Sequence, residues 1–369
     1  MIRRILLAGI GLLFTLSSPV LRAEHDFDDD HEGSLVYAMS NDAAANRVMV
    51  YRRSASGVLN PVGSVATGGK GSGGGLGSQG SLVLNNSHQW LLAVNAGSDD
   101  VSVFRLTDSG LTLASRTPSG GHMPIGVTIS GRTVYAVNGG MPDNIAGFKL
   151  SQDGSLTAIP GSTRSLSGPA VGPAQVQFSA EGDRLVVTEK GTNLIDVFAV
   201  MQDGTPGPRV STPSHGMTPF GFAFGNRDRL FVSEAFGGGV NASAASSYNV
   251  HASGSLQVIS GSVATLQTAA CWLVIDPSGR YAYTTNTGSK TVSVYRIGGN
   301  GSLTLVQSIA GLTPAGGPID AAFSGDGRYL HVLTAGAASL VTFRIQPDGG
   351  LVSVNTASAP PNAAGLAAQ

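Results

Sequence analysis

The chain has 369 residues, with 22 Lys plus Arg against 23 Asp plus Glu and only 12% charged residues overall. A net charge of −1 removes the electrostatic footing for nucleic acid or an acidic membrane surface as a partner. With 52 glycines, one cysteine and no long stretch of 3.6-residue apolar period, the composition points to turn-rich β structure and excludes an intrachain disulfide.

The first segment reads as an export leader. Arg3 and Arg4 precede the apolar run Ile5 to Leu16, Ser17-Ser18-Pro19 breaks it, and Leu21-Arg22-Ala23 offers a cleavage site before Glu24. The run is too short for a comfortable membrane span, and it carries no cysteine for a lipid anchor. Residues 1–23 are therefore expected to be a signal peptide, and the mature chain a periplasmic or secreted protein. Residues 24–34, with Glu24, His25, Asp26, Asp28, Asp29, Asp30, His31 and Glu32, read as a solvated, disordered acidic arm; nothing in the spacing fixes a metal geometry.

From residue 35 to 369 one unit recurs. Its cleanest copy spans Cys271 to Gly311: an apolar strand Trp272 to Ile275, a Pro277-Ser278-Gly279 turn, and a strand Tyr281 to Thr285. Gly288-Ser289 then turns the chain into Thr291 to Ile297, and Asn300-Gly301 into Leu303 to Ile309. Short β-branched and aromatic runs bounded by Gly, Asn, Asp and Pro are the hairpin signature. Earlier copies begin near Leu35 (lacking a first strand), Ser81, Ile125, Ala174 and Phe220, and the last begins near Ile319. Seven copies at a spacing of roughly 43 to 55 residues predict a seven-bladed β-propeller of four-stranded antiparallel blades, in one domain. The tail Ala364-Gly365-Leu366-Ala367 resembles the starts of other inner strands, such as Pro124-Ile125-Gly126-Val127. It is expected to supply the missing strand of blade 1 and close the ring. The glycine-rich stretch Gly68 to Gly80 lacks the Gly-Lys-Ser/Thr ending of a phosphate-binding loop and is read as a mobile surface loop. Cys271 is expected to be a buried small hydrophobe.

In a propeller, the loop between second and third strands and the loop leading into the first strand emerge on one face, around the channel mouth. The second-strand ends place Asn95, Asn138, Glu189, Glu234 and Asn286 there; the loops leading in add His122 and His215. Glu234 and Glu189 are the candidates for activating a water, each weighed equally against a role in binding loop amides. His215 and His122 are candidates for proton transfer or metal binding, against an ordinary loop role. Asn95, Asn138 and Asn286 are candidate ligand contacts, against service in turns and bulges.

These units, with turns such as Gln152-Asp153-Gly154-Ser155, Gln202-Asp203-Gly204 and Pro347-Asp348-Gly349-Gly350, resemble the seven-bladed propeller lactonase family of 6-phosphogluconolactonase and carboxymuconate-lactonising enzyme. The resemblance covers nearly all of the mature chain. It implies a lactone-opening hydrolase, with Glu234 in Val232-Ser233-Glu234-Ala235 matching a family glutamate and Glu189 falling at an often acidic position. Two motifs depart from it: Gly172-Pro173-Ala174 stands where the family has Gly-Pro-His, and Pro219-Phe220-Gly221 where it has Pro-Arg-His. Loss of the Arg argues against a phosphorylated substrate. Two functions follow as expectations. One is an exported lactonase-like hydrolase; the other is a non-catalytic propeller binding a small molecule, a glycan or a protein at the same face. No motif requires a cofactor. A divalent cation held in the channel by backbone oxygens would leave no sequence signature. The chain is expected to be a monomer, with no membrane span in its mature part and a protein partner left open.

Overall fold

The turns that separate the strands decide the architecture. In six blades the turn from third to outer strand places a glycine at strongly positive φ: 90° at Gly57, 91° at Gly154 and Gly204, 86° at Gly254 and Gly349, and 87° at Gly301. Only glycine reaches that region without cost. The same glycine also clears space for the preceding blade. A Cβ on Gly154 would lie 2.7 Å from the Trp90 ring, one on Gly349 2.7 Å from Tyr281, and one on Gly57 2.3 Å from Tyr329. Tyrosine hydroxyls fasten the same joints: Tyr135 to Gly204 O (2.6 Å), Tyr283 to Gly349 O (2.9 Å), Tyr329 to Ala55 O (2.7 Å). Four of these turns, at Gly57, Gly154, Gly204 and Gly349, are thus sockets for an aromatic of the preceding blade; Gly254 faces Val210 and Gly301 faces Arg229 instead.

The structure, a computed structural model, describes residues 34–107, 110–314 and 316–369. The predicted leader, and the acidic arm except Ser34, lie outside the described residues. Blade 1 contains Leu35–Met39, Arg47–Arg53 and Leu59–Ala66; blade 2 contains Leu82–Leu84, Trp90–Asn95, Asp100–Thr107 and Gly110–Pro118. Blade 3 has His122–Ser130, Thr133–Gly140 and Asn144–Leu150. Its outer position is shared by Leu156–Ala158 and Arg164–Ser165, an interruption at Pro160, which cannot donate to the ladder. Blade 4 has Pro173–Phe178, Arg184–Glu189, Leu194–Val200 and Pro206–Pro213; blade 5 has Pro219–Phe224, Arg229–Glu234, Ala244–Val250 and Leu256–Ala264. Blade 6 runs from Ala270–Ile275 to Leu303–Leu312 and blade 7 from Pro318–Phe323 to Leu351–Ser358. All neighbouring strands within a blade are antiparallel. Second strands such as Trp90–Asn95 and Tyr281–Asn286 are buried along their whole length because blades cover both faces. Outer strands such as Leu351–Ser358 are largely open to solvent.

The ring closes as expected. Leu366–Ala368 is the innermost strand of blade 1, paired antiparallel with Leu35–Met39 in the register Val36↔Ala368, Tyr37↔Ala367, Ala38↔Leu366. Asp320 on the inner strand of blade 7 accepts the Leu366 N–H at 3.0 Å. An Arg53–Asp326 ion pair at 2.9 Å crosses the same seam. No helix among the described residues is long and apolar enough to cross a membrane.

The stretch Gly68 to Gly80 corrects the reading from composition: it is not a free surface loop. Leu76, Ser78 and Gln79 are buried, and the segment crosses the channel. The Ser78 hydroxyl donates to Ile125 O (2.7 Å) in blade 3 and Gln79 N–H to Ala174 O (2.9 Å) in blade 4. The Gln79 carboxamide pairs with both backbone groups of Leu273 (2.9 and 3.0 Å) in blade 6. The glycines serve close approach rather than motion, since a Cβ on Gly71 would lie 2.1 Å from the Asn41 backbone.

Candidate functional site

The five second-strand ends share one structural position, and in each the side chain turns toward its own third strand. Asn95 Nδ2 donates to Asp100 Oδ1 (2.6 Å) and Ser102 Oγ (2.7 Å); Asn138 Nδ2 donates to Asn144 Oδ1 (2.9 Å). Asn286 Nδ2 donates to Thr291 Oγ1 (3.0 Å) and Ser293 Oγ (2.8 Å). These asparagines have no exposed surface, and their amide N–H groups staple the loop between second and third strands.

Glu189 fills the same position in blade 4 and is equally buried. It accepts the Ser167 N–H at 2.8 Å and the hydroxyls of Ser167 and Thr192, and the Asp196 carboxyl stands beside it. Burial raises the Asp196 carboxyl, and the adjoining Glu189 raises it further. Burial alone would also raise Glu189, but the donors from Asp196, Ser167 and Thr192 outweigh it and hold this carboxyl below its usual range. Glu189 is thus a saturated acceptor, paired inward.

Blade 5 differs. Glu234 Oε1 accepts the Gly216 N–H (2.8 Å) and the Ser246 hydroxyl, and Oε2 accepts the Ser262 hydroxyl (2.7 Å). Ser262 Oγ in turn lies 2.9 Å from His215 Nδ1, and the His215 N–H donates to the Tyr248 hydroxyl at 2.9 Å. Glu234 has no exposed surface, whereas His215 is exposed. Serine has one hydroxyl proton. With that proton on Glu234, Nδ1–H must be the donor to Ser262, so Nε2 is the unprotonated nitrogen of the neutral ring. Ser262 sits at φ 44°, and it is the one non-glycine residue at positive φ in any outer strand among the described residues. The positive φ thus falls at the residue that joins a carboxylate to an exposed imidazole. Two glycines make room for it: a Cβ on Gly261 would lie 2.4 Å from His215 Nε2, and one on Gly216 2.2 Å from Glu234 Oε2.

His122 stands apart, in blade 3, with Nδ1 2.9 Å from Asp99 Oδ2, both side chains exposed. The structure therefore joins Glu234 and His215 and leaves Glu189 and His122 in separate clusters. None of the seven candidates lines the central channel, whose cavity of about 560 Å³ is bounded by inner-strand residues including Gln175, Gln177 and Asp320. Ser78 and Gln79 cross that channel at the starting ends of the inner strands. Among the described residues no group of three or more His, Cys, Asp or Glu side chains is placed to hold a metal ion. Cys271 is buried, and burial pushes its thiol up to about 11.

Sequence reading missed Ser262 and Lys190. Ser262 lies in an outer strand, where a serine on the solvent-facing side carries no signal. Lys190 follows Glu189 directly. Its Nζ donates to Gly77 O at 2.5 Å and sits 4.8 Å over the Phe220 ring, and burial lowers its pKa. A lysine just past a buried strand end was the available cue.

The closed ring of seven antiparallel blades defines the class as a seven-bladed β-propeller. Residues 246–363 match the family model described as lactonase, 7-bladed beta-propeller. Solved structures with the same fold include the periplasmic gluconolactonase of Pseudomonas aeruginosa, at 17% identity and a TM-score of 0.74, covering 91% of this chain and 98% of that one. A protein from Lactobacillus plantarum matches at 17% identity and a TM-score of 0.75, covering 91% and 99%. A Bacteroides fragilis protein described as a candidate 6-phosphogluconolactonase matches at 18% and 0.70, covering 92% and 98%. At these identities the likeness establishes the fold. A comparison with curated protein sequences gives no match.

Proposed function

We propose that the protein is a hydrolase of ring esters acting outside the cytoplasm, with His215 as its general base. The hydrogen-bonded sequence Glu234–Ser262–His215 carries this reading. His215 Nε2 takes a proton from water as the water oxygen bonds to the lactone carbonyl carbon. The acyl C–O bond then breaks, and the leaving alkoxide takes that proton from the imidazole, giving a hydroxy acid. Glu234 does not touch the substrate. Through Ser262 it fixes the ring tautomer and stabilises the imidazolium as it forms. The export leader supports the location: periplasmic protein recovered from cells should begin at Glu24, and an intact Met1 there would refute export.

The assay is a lactone panel on wild type and on His215→Ala and Glu234→Gln variants. His215→Ala should lose roughly 10²- to 10⁴-fold in kcat, the range of a positioned general base. Turnover equal to wild type in both variants would remove the assignment. A second reading, a non-catalytic binding propeller, draws on the burial of Glu189 and Glu234 and on Ser78 and Gln79 filling the channel. Inactivity of the wild type across the panel would favour it.

A further inference from the structure

The relay of blade 5 lies within a crown of three segments, 214–218, 235–243 and 264–269, and no Asp, Glu, Lys or Arg occurs in any of them. The segments are laced together. Phe236 N–H donates to Met217 O (3.1 Å), Ser243 N–H to Gln267 O (3.1 Å) and Thr265 N–H to Ser243 O (2.8 Å). Gly237 N–H donates to Thr218 Oγ1 (3.0 Å) and Asn241 N–H to Thr268 Oγ1 (3.0 Å). Each segment projects one large apolar side chain: Met217 is 57% exposed, Val240 83% and Leu266 57%. Leu266 is held at φ 60°, where a glycine or asparagine would sit without strain. Exposed apolar side chains on three segments laced together beside an exposed imidazole point to a surface that suits an apolar ligand. A phosphorylated or carboxylated substrate would call for Arg or Lys in the crown, and none of its three segments carries one.

We infer that the substrate is an alkyl-substituted lactone, its ring ester at His215 and its aliphatic chain laid across Met217, Val240 and Leu266. The inference rests on the hydrolase reading above and names its substrate class. A methylene moved fully from water into apolar contact is worth roughly a fourfold gain, so a partly covered chain gains roughly two- to fourfold per carbon.

The test is hydrolysis of γ-lactones from butyrolactone to dodecalactone, with gluconolactone alongside. kcat/KM should rise by that factor with each added carbon until the crown is spanned. Leu266→Asn, which suits the left-handed backbone and should melt no lower than wild type, should flatten the rise. Ile309→Thr, on the outer strand of blade 6, should not. Turnover independent of chain length, or a preference for gluconolactone, would overturn this inference and leave the hydrolase reading standing. If no lactone is opened, the hydrolase reading falls and calorimetric binding of dodecalactone decides. Binding weakened by Leu266→Asn retains the alkyl-lactone ligand; absence of binding overturns it.

Discussion

Ending the chain after Pro361 should open the ring. The eight residues removed include Ala363, Ala364, Leu366 and Ala367, all buried. Burying Leu366 is worth about 2 kcal/mol, and each alanine methyl somewhat under 1 kcal/mol. At least four hydrogen bonds to the rest of the ring go with them: Met39 N–H to Gly365 O (3.1 Å), Ala364 N–H to Met39 O (2.9 Å), Gln369 N–H to Leu35 O (2.9 Å) and Leu366 N–H to Asp320 Oδ2 (3.0 Å). At about 1 kcal/mol net for each bond, the total comes to roughly 8 kcal/mol. That is on the order of the whole stability of an ordinary domain. The cost also grows with context, because the inner edge of Leu35–Met39 loses its partner and Asp320 is left buried with one donor fewer. Thermal unfolding followed by circular dichroism is the assay. The truncated chain should melt far below wild type or fail to accumulate folded. An unchanged melting temperature would mean that Leu366–Ala368 contributes nothing to closure.

Two further outcomes follow from buried groups and a close contact. Burial, and after it the Arg53 guanidinium, pushes the His331 imidazole down to about 3 from an ordinary 6.5, so the unfolded chain takes up a proton that the fold refuses and stability drops as pH falls through that window. Burial pushes the Asp320 carboxyl up to about 8 from 3.8, so the fold keeps a proton that the unfolded chain releases and stability drops as pH rises through that window. The slopes oppose one another below 6.5; above it the Asp320 slope persists, joined up to about pH 7 by the raised Asp196 carboxyl, so the melting temperature should decline between pH 6.5 and 8; a rise would contradict the assignment. Gly261→Ala should cut lactone turnover by at least roughly tenfold with little change in melting temperature, because its Cβ would meet the His215 ring at 2.4 Å while its backbone lies outside the positive-φ region. Full activity in that variant would show that the imidazole is not held where the relay needs it.

The fold was legible because its determinants are local. Asp153-Gly154, Asn300-Gly301 and Asp348-Gly349 announce the turns, and the alternating runs between them announce the strands. Even the closing strand could be read from the likeness of Gly365-Leu366-Ala367 to other strand starts. The site was less legible because its contacts join distant segments. Glu234 and His215 could be picked out as departures from a repeat, but Ser262 is joined to them only by a bulge and a positive φ in an outer strand. The stretch Gly68 to Gly80 misled for a related reason. Glycine content reports permitted backbone freedom; it does not report that the backbone of Asn41 or the side chain of Asn95 will press against it.

The repeat itself supplies the argument for where chemistry resides. Asparagine at the second-strand end staples its loop by donating its amide N–H groups to the third strand, and three blades use it that way. A glutamate there brings an acceptor with no donor of its own, so neighbours must supply protons. Blade 4 supplies them from Ser167, Thr192 and Asp196, and the resulting cluster closes on itself. Blade 5 supplies them from Gly216, Ser246 and Ser262, and the last of these passes the connection outward to an exposed imidazole. The two glutamates look alike in sequence, yet only Glu234 has a route to solvent through a titratable ring. Restoring the repeat's asparagine at Glu234 should therefore preserve the staple to Ser246 while disconnecting His215. A Glu234→Asn variant that stays folded but loses turnover would separate the scaffold role of the position from its catalytic one, and one that turns over lactone as wild type does would show the relay to be scaffold alone.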